Sequence, residues 1–309
     1  MAGASRKVIF AALAGNLLIA VTKFIAALIT GSSAMFSEGI HSVVDTGNQV
    51  LLLHGLRQAR RPPDEHFPFG HGKEIYFWSF VVAILIFAVG AGVSAFEGVQ
   101  HMLDPHPMEH VAANYVVLGL AIVFEGASWY FALHEFTRTK GKWGYVEAVQ
   151  RGKDPSLFMV LFEDSAAMLG LLVALGGILL SHYAGLYWAD GLSSLLIGVI
   201  LGGTAAWLAY ETKGLLIGES ANRRVVEGIR EAALSLPDVE RVHEVLTMHM
   251  GPEFILVNIS VKFAADARAT ELEATIAELD RRIKKTFPNV KRVFVEAEAA
   301  AGQVPAPGH

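Results

Sequence analysis

Cysteine is absent from this chain of 309 residues, and charged residues are scarce. The lack of cysteine excludes disulfides, thiolate zinc sites, iron–sulfur clusters and cysteine nucleophiles. Charged residues make up 18% of the chain, against about a quarter in soluble domains. The net charge of −5 supplies no basic surface for a polyanion. These shortages exclude a disordered chain, a coiled coil and a nucleic-acid binder, and they disfavour an ordinary soluble globule.

Apolar residues are abundant instead, at 53% of the chain. A membrane-spanning helix needs about 20 mostly apolar residues. Six stretches meet this requirement: residues 8–30, 33–56, 76–96, 112–133, 157–181 and 187–210. Beyond about residue 218 charged residues become frequent. The sequence therefore predicts an α-helical membrane protein with a six-span transport domain over 1–213, a cytoplasmic domain over 214–298 and a disordered tail over 299–309.

The C-terminal domain has the pattern of a small α/β fold. Its periodicity predicts the order helix, strand, strand, helix, strand, with Gly251-Pro252 as the turn between the first two strands. One sheet covered by two helices on one face is a ferredoxin-like αββαβ layout. The five elements are predicted over residues 223–236, 242–250, 254–263, 270–287 and 290–295.

Lysine and arginine are distributed unevenly among the connections between the spans. They occur before the first span, between the second and third, between the fourth and fifth, and after the sixth, and the other three connections contain none. The positive-inside rule then places both termini in the cytoplasm. We expect an integral protein of a bacterial inner membrane.

Polar residues interrupt the second span. His41 and Asp45 are one helical turn apart, on the face that also carries Glu38 and Asn48. A charge inside the membrane costs roughly 2.5–3.5 kcal/mol, so it must face the bundle interior or water. Imidazole plus carboxylate suits zinc and other first-row divalent metals. The alternative is a polar stripe that forms a structural hydrogen-bond network.

The fifth span carries the adjacent acids Glu163 and Asp164. Neighbouring residues on a helix point about 100° apart, so both cannot face one ion squarely. One can bind metal while the other pairs with a neighbouring helix or carries a proton. Lys23 in the first span can pair with a carboxylate or snorkel, and Glu125 in the fourth can relay protons or pair with Lys23.

Small residues recur along the sixth span. Such a pattern lets two helix backbones approach closely, so it predicts tight packing of this span against a neighbour. The small residues are Gly191, Ser194, Gly198, Gly202 and Gly203.

Three segments resemble the signatures of the cation diffusion facilitator (cation efflux) family. They are residues 32–45, the loop Phe69-Gly70-His71-Gly72-Lys73, and the start of the sixth span at Trp188-Ala189-Asp190-Gly191. The resemblance covers nearly the whole chain and extends to a branch with mitochondrial zinc-transporter-like members. It implies a homodimer in the lipid bilayer that exchanges divalent metal ions for protons, with no nucleic-acid partner and no enzymatic activity.

The resemblance also implies the metal ligands. The family's intramembrane site takes two residues from span two and two from span five, which fall here on His41, Asp45, Asp164 and Val160. Valine cannot bind metal, so Glu163, Asn16 or a water must supply the remaining ligand of a tetrahedral site. The implied cargo is Zn²⁺, with Mn²⁺, Fe²⁺, Co²⁺ and Cd²⁺ as alternatives, and no permanently bound cofactor is expected.

Many family members hold a second metal in the loop between spans two and three. Asp64, His66 and His71 are the secondary candidates here, although Phe67 replaces the usual histidine. The alternative is a solvated cytoplasmic loop whose glycines allow a tight turn. The C-terminal domain is expected to dimerise without tight metal binding.

Three functions therefore compete. The leading one is export of zinc or a related divalent ion from the cytoplasm against protons, with a manganese or iron exporter of the same family as its variant. The second is a metal-binding membrane protein that moves no ions. The third is an intramembrane metalloenzyme, which the lack of His-Glu-x-x-His and Gly-x-Ser-x-Gly motifs disfavours.

Overall fold

The computed structural model describes residues 2–30, 33–105, 111–141, 144, 145, 148 and 155–298. The chain divides into two compact units. The first comprises Met1–Arg61 and Lys73–Gly214, and the second comprises Pro62–Gly72 and Leu215–His309. The predicted tail over 299–309 lies outside the described residues, as does the side chain of Glu38.

The first unit is entirely helical in its described part. Its third span is a continuous helical segment in which a π-helical turn, Ile86–Ala91, separates two α-helices. The α-helices of this unit are α1 (Ala2–Thr30), α2 (Ser33–Gln58), α3 (Glu74–Leu85), α4 (Gly92–Leu103), α5 (Val111–Lys140), α6 (Pro155–Ala184) and α7 (Trp188–Ile217).

Four helical segments are long and apolar enough to cross a membrane: Glu74–Leu103, Asn114–Lys140, Phe158–Ala184 and Trp188–Ile217. In α1 the apolar segment found among the described residues is the shorter Leu13–Ile29. Helix α2 has 26 residues, but its polar stripe lowers its hydropathy. Four predicted spans are therefore supported within the described part of the chain, and the count of six stays a prediction.

Helix α2 is the centre of the helical packing. It contacts α1, α3, the π-helical turn, α4 and α6, while α5 contacts α1 and α6. A helix surrounded by neighbours can carry polar residues because they face protein rather than lipid. The fold thus buries the stripe of α2 between α1 and α6.

Glycines bring α4 and α7 into backbone contact. A Cβ atom on Gly191 would lie 2.7 Å from the backbone nitrogen of Met102, and one on Gly198 would lie 2.9 Å from that of Ala95. Real Cβ atoms do not approach backbone atoms this closely, so a side chain at either position would push the helices apart. The predicted tight packing of the sixth span is confirmed at these two glycines.

The second unit contains helices and one mixed sheet in the predicted order. Strands β1 and β2 pair antiparallel, and β2 and β3 pair parallel, which gives the sheet order β1-β2-β3. The side chain of Asn222 caps the first helix by accepting a hydrogen bond from the N–H of Arg224. The elements are α8 (Arg223–Leu234), β1 (Val239–Gly251), β2 (Phe254–Phe263), α9 (Ala269–Thr286) and β3 (Val290–Ala297).

Both helices of this unit pack on one face of the sheet. Ile229 of α8 and Ile283 of α9 are fully buried in one apolar core with Val257 and Ile259 of β2. The segment Pro62–Gly72, which follows α2 in the chain, belongs to the same unit.

Two contacts attach this segment to the sheet. The ring of Phe69 lies edge-on to that of Phe294, with centroids 6.5 Å apart. Gly72 packs against the backbone of Met250 and Gly251, where a side chain has no room.

Candidate metal centre

The polar stripe of α2 is buried. The exposed fraction of His41 and Asp45 is 1%, and that of Asn48 and Gln49 is 0%. The His41 Nδ1 atom lies 3.3 Å from the Asp45 Oδ1 atom, as expected for side chains one turn apart. The helix therefore presents an imidazole and a carboxylate at one point, away from lipid and water.

The two adjacent acids of α6 have different partners. Asn48 Nδ2 donates a hydrogen bond to Glu163 Oε1 at 2.5 Å, and the carboxyl groups of Glu163 and Asp45 interact electrostatically. Asp164 Oδ2 instead accepts a hydrogen bond from Ser128 Oγ of α5 at 2.9 Å. Glu163 is thus the acid that meets the polar stripe of α2, whereas Asp164 is held towards α5.

Several buried atoms of this cluster lack hydrogen-bond partners among the described residues. They are both ring nitrogens of His41, the Oδ1 atom of Asp45 and the Oε2 atom of Glu163. Asn16 on α1 is also fully buried, and neither its amide nitrogen nor its amide oxygen has a partner there. Buried polar atoms are normally hydrogen-bonded, so this set is typical of a site that a cation, a proton or a water completes.

The cluster is not a closed coordination shell. Within the described part of the chain, no three histidine, aspartate or glutamate side chains are arranged to hold a metal ion. Val160, one turn before Asp164, is fully buried and apolar. The structure thus pairs His41 with Asp45 on α2 and holds Glu163 of α6 against this helix through Asn48, whereas Asp164 is bonded to Ser128.

The loop candidates are arranged as a turn. Asp64 Oδ1 accepts hydrogen bonds from the backbone N–H groups of His66 and Phe67 at 3.0 and 2.8 Å, and Asp64 Oδ2 lies 2.9 Å from His71 Nε2. The hydrogen bond from His71 holds the pKa of Asp64 below its usual value, and the two backbone N–H groups act in the same direction. These bonds satisfy Asp64 without a metal, and a second metal site here stays a prediction.

A second buried polar cluster lies beside the stripe and joins three helices. Lys23 Nζ of α1 donates to Ser42 Oγ of α2 at 2.9 Å and lies 3.8 Å from Glu125 Oε1 of α5. Of the two alternatives that the sequence left open for Lys23, the structure shows pairing with a carboxylate, and Glu125 is the partner.

Three of these buried polar contacts were not predicted from the sequence: those of Ser42 with Lys23, Ser128 with Asp164, and Asn48 with Glu163. The serines at 42 and 128 give no spacing signal, because serine is common in helices. Gln49 could have been found by extending the four-residue period from Asp45.

Comparisons with known proteins agree across both units. Residues 9–217 match the family described as the cation efflux transmembrane domain, and residues 222–300 match the cation efflux protein cytoplasmic domain. The chain is 36% identical over 260 residues to the proton-coupled zinc antiporter SLC30A9, mitochondrial, of Xenopus laevis. This alignment covers 83% of this chain and 46% of the frog protein.

More distant relatives carry other descriptions. Metal tolerance protein C4 of Arabidopsis thaliana is 29% identical over 80% of this chain and 55% of its own length. Manganese efflux system protein MneP of Bacillus subtilis is 21% identical over 94% of this chain and 95% of its own length. The chain therefore spans about half the length of the antiporter and the plant protein, and nearly all of the bacterial one.

Proposed function

The chain belongs to the cation efflux family, and from this premise we propose that it exports zinc or a related first-row divalent cation from the cytoplasm in exchange for protons. Its family relatives are transporters of the membrane rather than enzymes. The observation that carries the proposal is the buried contact of His41 with Asp45 beside Glu163, where side-chain atoms on two contacting helices lack hydrogen-bond partners among the described residues.

The proposed ligand set follows the contacts. His41 and Asp45 from α2 and Glu163 from α6 form its core, because His41 contacts Asp45 and Asn48 holds Glu163 against α2. Asp164 joins them if the hydrogen bond from Ser128 is released, and Asn16 is a candidate for the position that Val160 leaves empty. Nitrogen and carboxylate oxygen ligands suit zinc, and an oxygen-rich set shifts the preference towards manganese or iron.

Proton exchange follows from the same atoms. A divalent ion binds imidazole and carboxylate only in their proton-free forms, so its arrival must release protons. If the site opens alternately to the two sides of the membrane, an inward proton gradient then drives metal outward.

The proposal also covers the membrane, the orientation and the preferred metal. We place the protein in a bacterial inner membrane with both termini in the cytoplasm, supported by the distribution of lysine and arginine. The relative from Bacillus subtilis matches along nearly its full length, whereas the printed name of the frog relative places that protein in mitochondria. Zinc is preferred to manganese because the zinc antiporter is the more similar relative, at 36% against 21% identity.

Flux measurements test the proposal. Purified protein in proteoliposomes, with a zinc dye and a pH dye, should move Zn²⁺ against its own gradient when a pH difference is imposed, with protons moving the opposite way. Asp45→Asn, which keeps the shape and removes the charge, should abolish the flux in protein that still inserts. Competition with Mn²⁺, Fe²⁺, Co²⁺ and Cd²⁺ ranks the cargo.

Two results would contradict this proposal. Flux that follows only the metal gradient and ignores the pH difference would indicate a passive pathway. Zinc binding without any flux would indicate the metal-binding membrane protein that moves no ions.

A further inference from the structure

The ion pair between Lys23 and Glu125 is buried as deeply as the candidate metal ligands. Both side chains are 0% exposed. The Lys23 ammonium lies 3.8 Å from the Glu125 carboxylate and donates to Ser42, the residue next to His41. The pair therefore reaches the turn of α2 that carries the proposed ligands, although neither member belongs to that set.

Glu125 also interacts electrostatically with every carboxylate of the proposed site. The charged or titratable groups that act on it from the packed helices are Lys23 of α1, Asp45 of α2, and Glu163 and Asp164 of α6, and Lys23 also acts on His41 of α2. A fourth buried acid in this electrostatic neighbourhood would be a natural metal ligand or proton carrier. Glu125 differs from Asp45, Glu163 and Asp164 in its contact with the ammonium group of Lys23.

We propose that Lys23 withholds Glu125 from the metal site and so limits the number of protons exchanged for each metal ion. This inference rests on the proposed antiport function. The lysine is a tethered cation that is always present, held by Ser42 on one side and by Glu125 on the other. With its charge balanced in this way, Glu125 stays ionised throughout the cycle and neither takes up a proton nor needs a metal as counter-ion.

Removal of the charge on Lys23 should change the protonation of Glu125. A buried carboxylate without a counter-ion is costly, so Glu125 takes up a proton in the metal-free protein. A divalent ion arriving beside it favours the ionised form, and that proton leaves for the solvent. Metal binding then releases the protons of the native site and one from Glu125.

Proton counting on the full-length protein tests this inference. Zn²⁺ is titrated by calorimetry in buffers of different ionisation enthalpy, which gives the protons released per zinc. Lys23→Met should release about one proton more per zinc than the wild type near neutral pH. Its zinc affinity should therefore rise more steeply with pH, by about an additional factor of ten for each pH unit. Lys23→Arg, which keeps the charge, should match the wild type.

The double variant Lys23→Met with Glu125→Gln separates charge from packing. It removes both members of the pair, so the proton count should return to the wild-type value. A structural role for the pair predicts no change in the count of any variant that folds. Lys23→Gln, which keeps a donor for Ser42, replaces Lys23→Met if the latter is not monodisperse in detergent.

The possible results discriminate clearly. An unchanged proton count in Lys23→Met and Lys23→Gln overturns the inference, as does an extra proton that persists in the double variant. If the wild type and all variants bind Zn²⁺ and release the same number of protons, the antiport proposal survives and this inference fails. A wild type that binds no Zn²⁺ removes the proposed function and this inference together.

Discussion

At the scale of single residues, two adjacent acids have different surroundings. Glu163 accepts from Asn48 and meets Asp45, whereas Asp164 accepts from Ser128. The sequence identifies the pair as important and, through the family resemblance, favours Asp164 as the ligand. Which of two neighbours faces α2 depends on the rotation of α6 about its axis, and residue spacing within one helix does not fix that rotation.

The geometry therefore predicts unequal effects of neutralising the two acids. Glu163→Gln should lower the affinity for Zn²⁺ by at least about 100-fold, because even outer partners of metal ligands are worth 10–100-fold. Asp164→Asn should cost about tenfold, since its amide oxygen can still accept from Ser128. Competition with a fluorescent zinc chelator measures both, and Ser128→Ala is the matched control for the α5 contact. Equal losses in the two variants would make Asp164 a direct ligand, as the family pattern implies.

At the scale of elements, the α4–α7 contact depends on glycine. Gly191→Ala should destabilise the protein by about 1–3 kcal/mol, because its new methyl group would meet the backbone of Met102 and Gly98. Gly203→Ala on the same helix is the matched control, since nothing lies within 4 Å of a Cβ there. Thermal unfolding in detergent compares the two, and indistinguishable midpoints would show that the helices separate at little cost.

The segment between α2 and α3 should respond to acid through Asp64. Its pKa is lowered by the hydrogen bond from His71, so the ionised form stabilises the turn. That contribution is complete above the ordinary aspartate pKa of about 4 and is lost as the pH falls through the lowered value. Hydrogen exchange of residues 62–72, corrected for intrinsic rates, should therefore speed up on acidification.

Two variants check the origin of this response. Asp64→Asn should remove the pH dependence, whereas Glu65→Gln, which alters the exposed neighbouring acid, should retain it. An acid response that survives Asp64→Asn would assign it to another group.

Elements were more predictable than the contacts between them. Apolar runs located the helices, and the alternation of apolar residues located the strands, because both signals lie in neighbouring residues. The small residues of α7 likewise predicted its tight packing. The bond from Asn48 to Glu163 joins residues 115 positions apart, and one sequence holds no signal for such a pair. The π-helical turn was also missed, since Ile86–Ala91 has the composition of any apolar helix.

At the scale of the whole molecule, the part of the sheet face that the helices and residues 62–72 leave exposed points to a dimer. Leu246 is 52% exposed, and it points away from the helices because its neighbour Val245 is buried beneath them. Leu246 pairs with Asn258 of β2, and Asn258 pairs with Phe294 of β3, whose ring contacts Phe69. We propose that a second copy covers this face, which agrees with the homodimer implied by the family resemblance.

Light scattering of the detergent-solubilised protein tests the dimer. The protein component should have twice the chain mass of 33.3 kDa. Leu246→Glu should lower the dimer fraction, because it places a charge in an apolar contact. Leu234→Glu is the control, since Leu234 is 50% exposed but lies on α8. Equal dimer fractions in both variants would place the interface elsewhere.

The π-helical turn in the third span has a consequence for how this protein tolerates length changes. A π-helical turn accommodates one residue more than an α-helical turn, and each helical residue rotates the chain by about 100°. Deletion of a single residue from Ile86–Ala91 would let the segment become a regular α-helix. Because the π-helical turn already accommodates the extra residue, its removal leaves the rotation of α4 unchanged, and Gly98 still faces Gly191. Deletion of Val93 from the regular helix α4 would instead rotate Gly98 by about 100° and should separate α4 from α7.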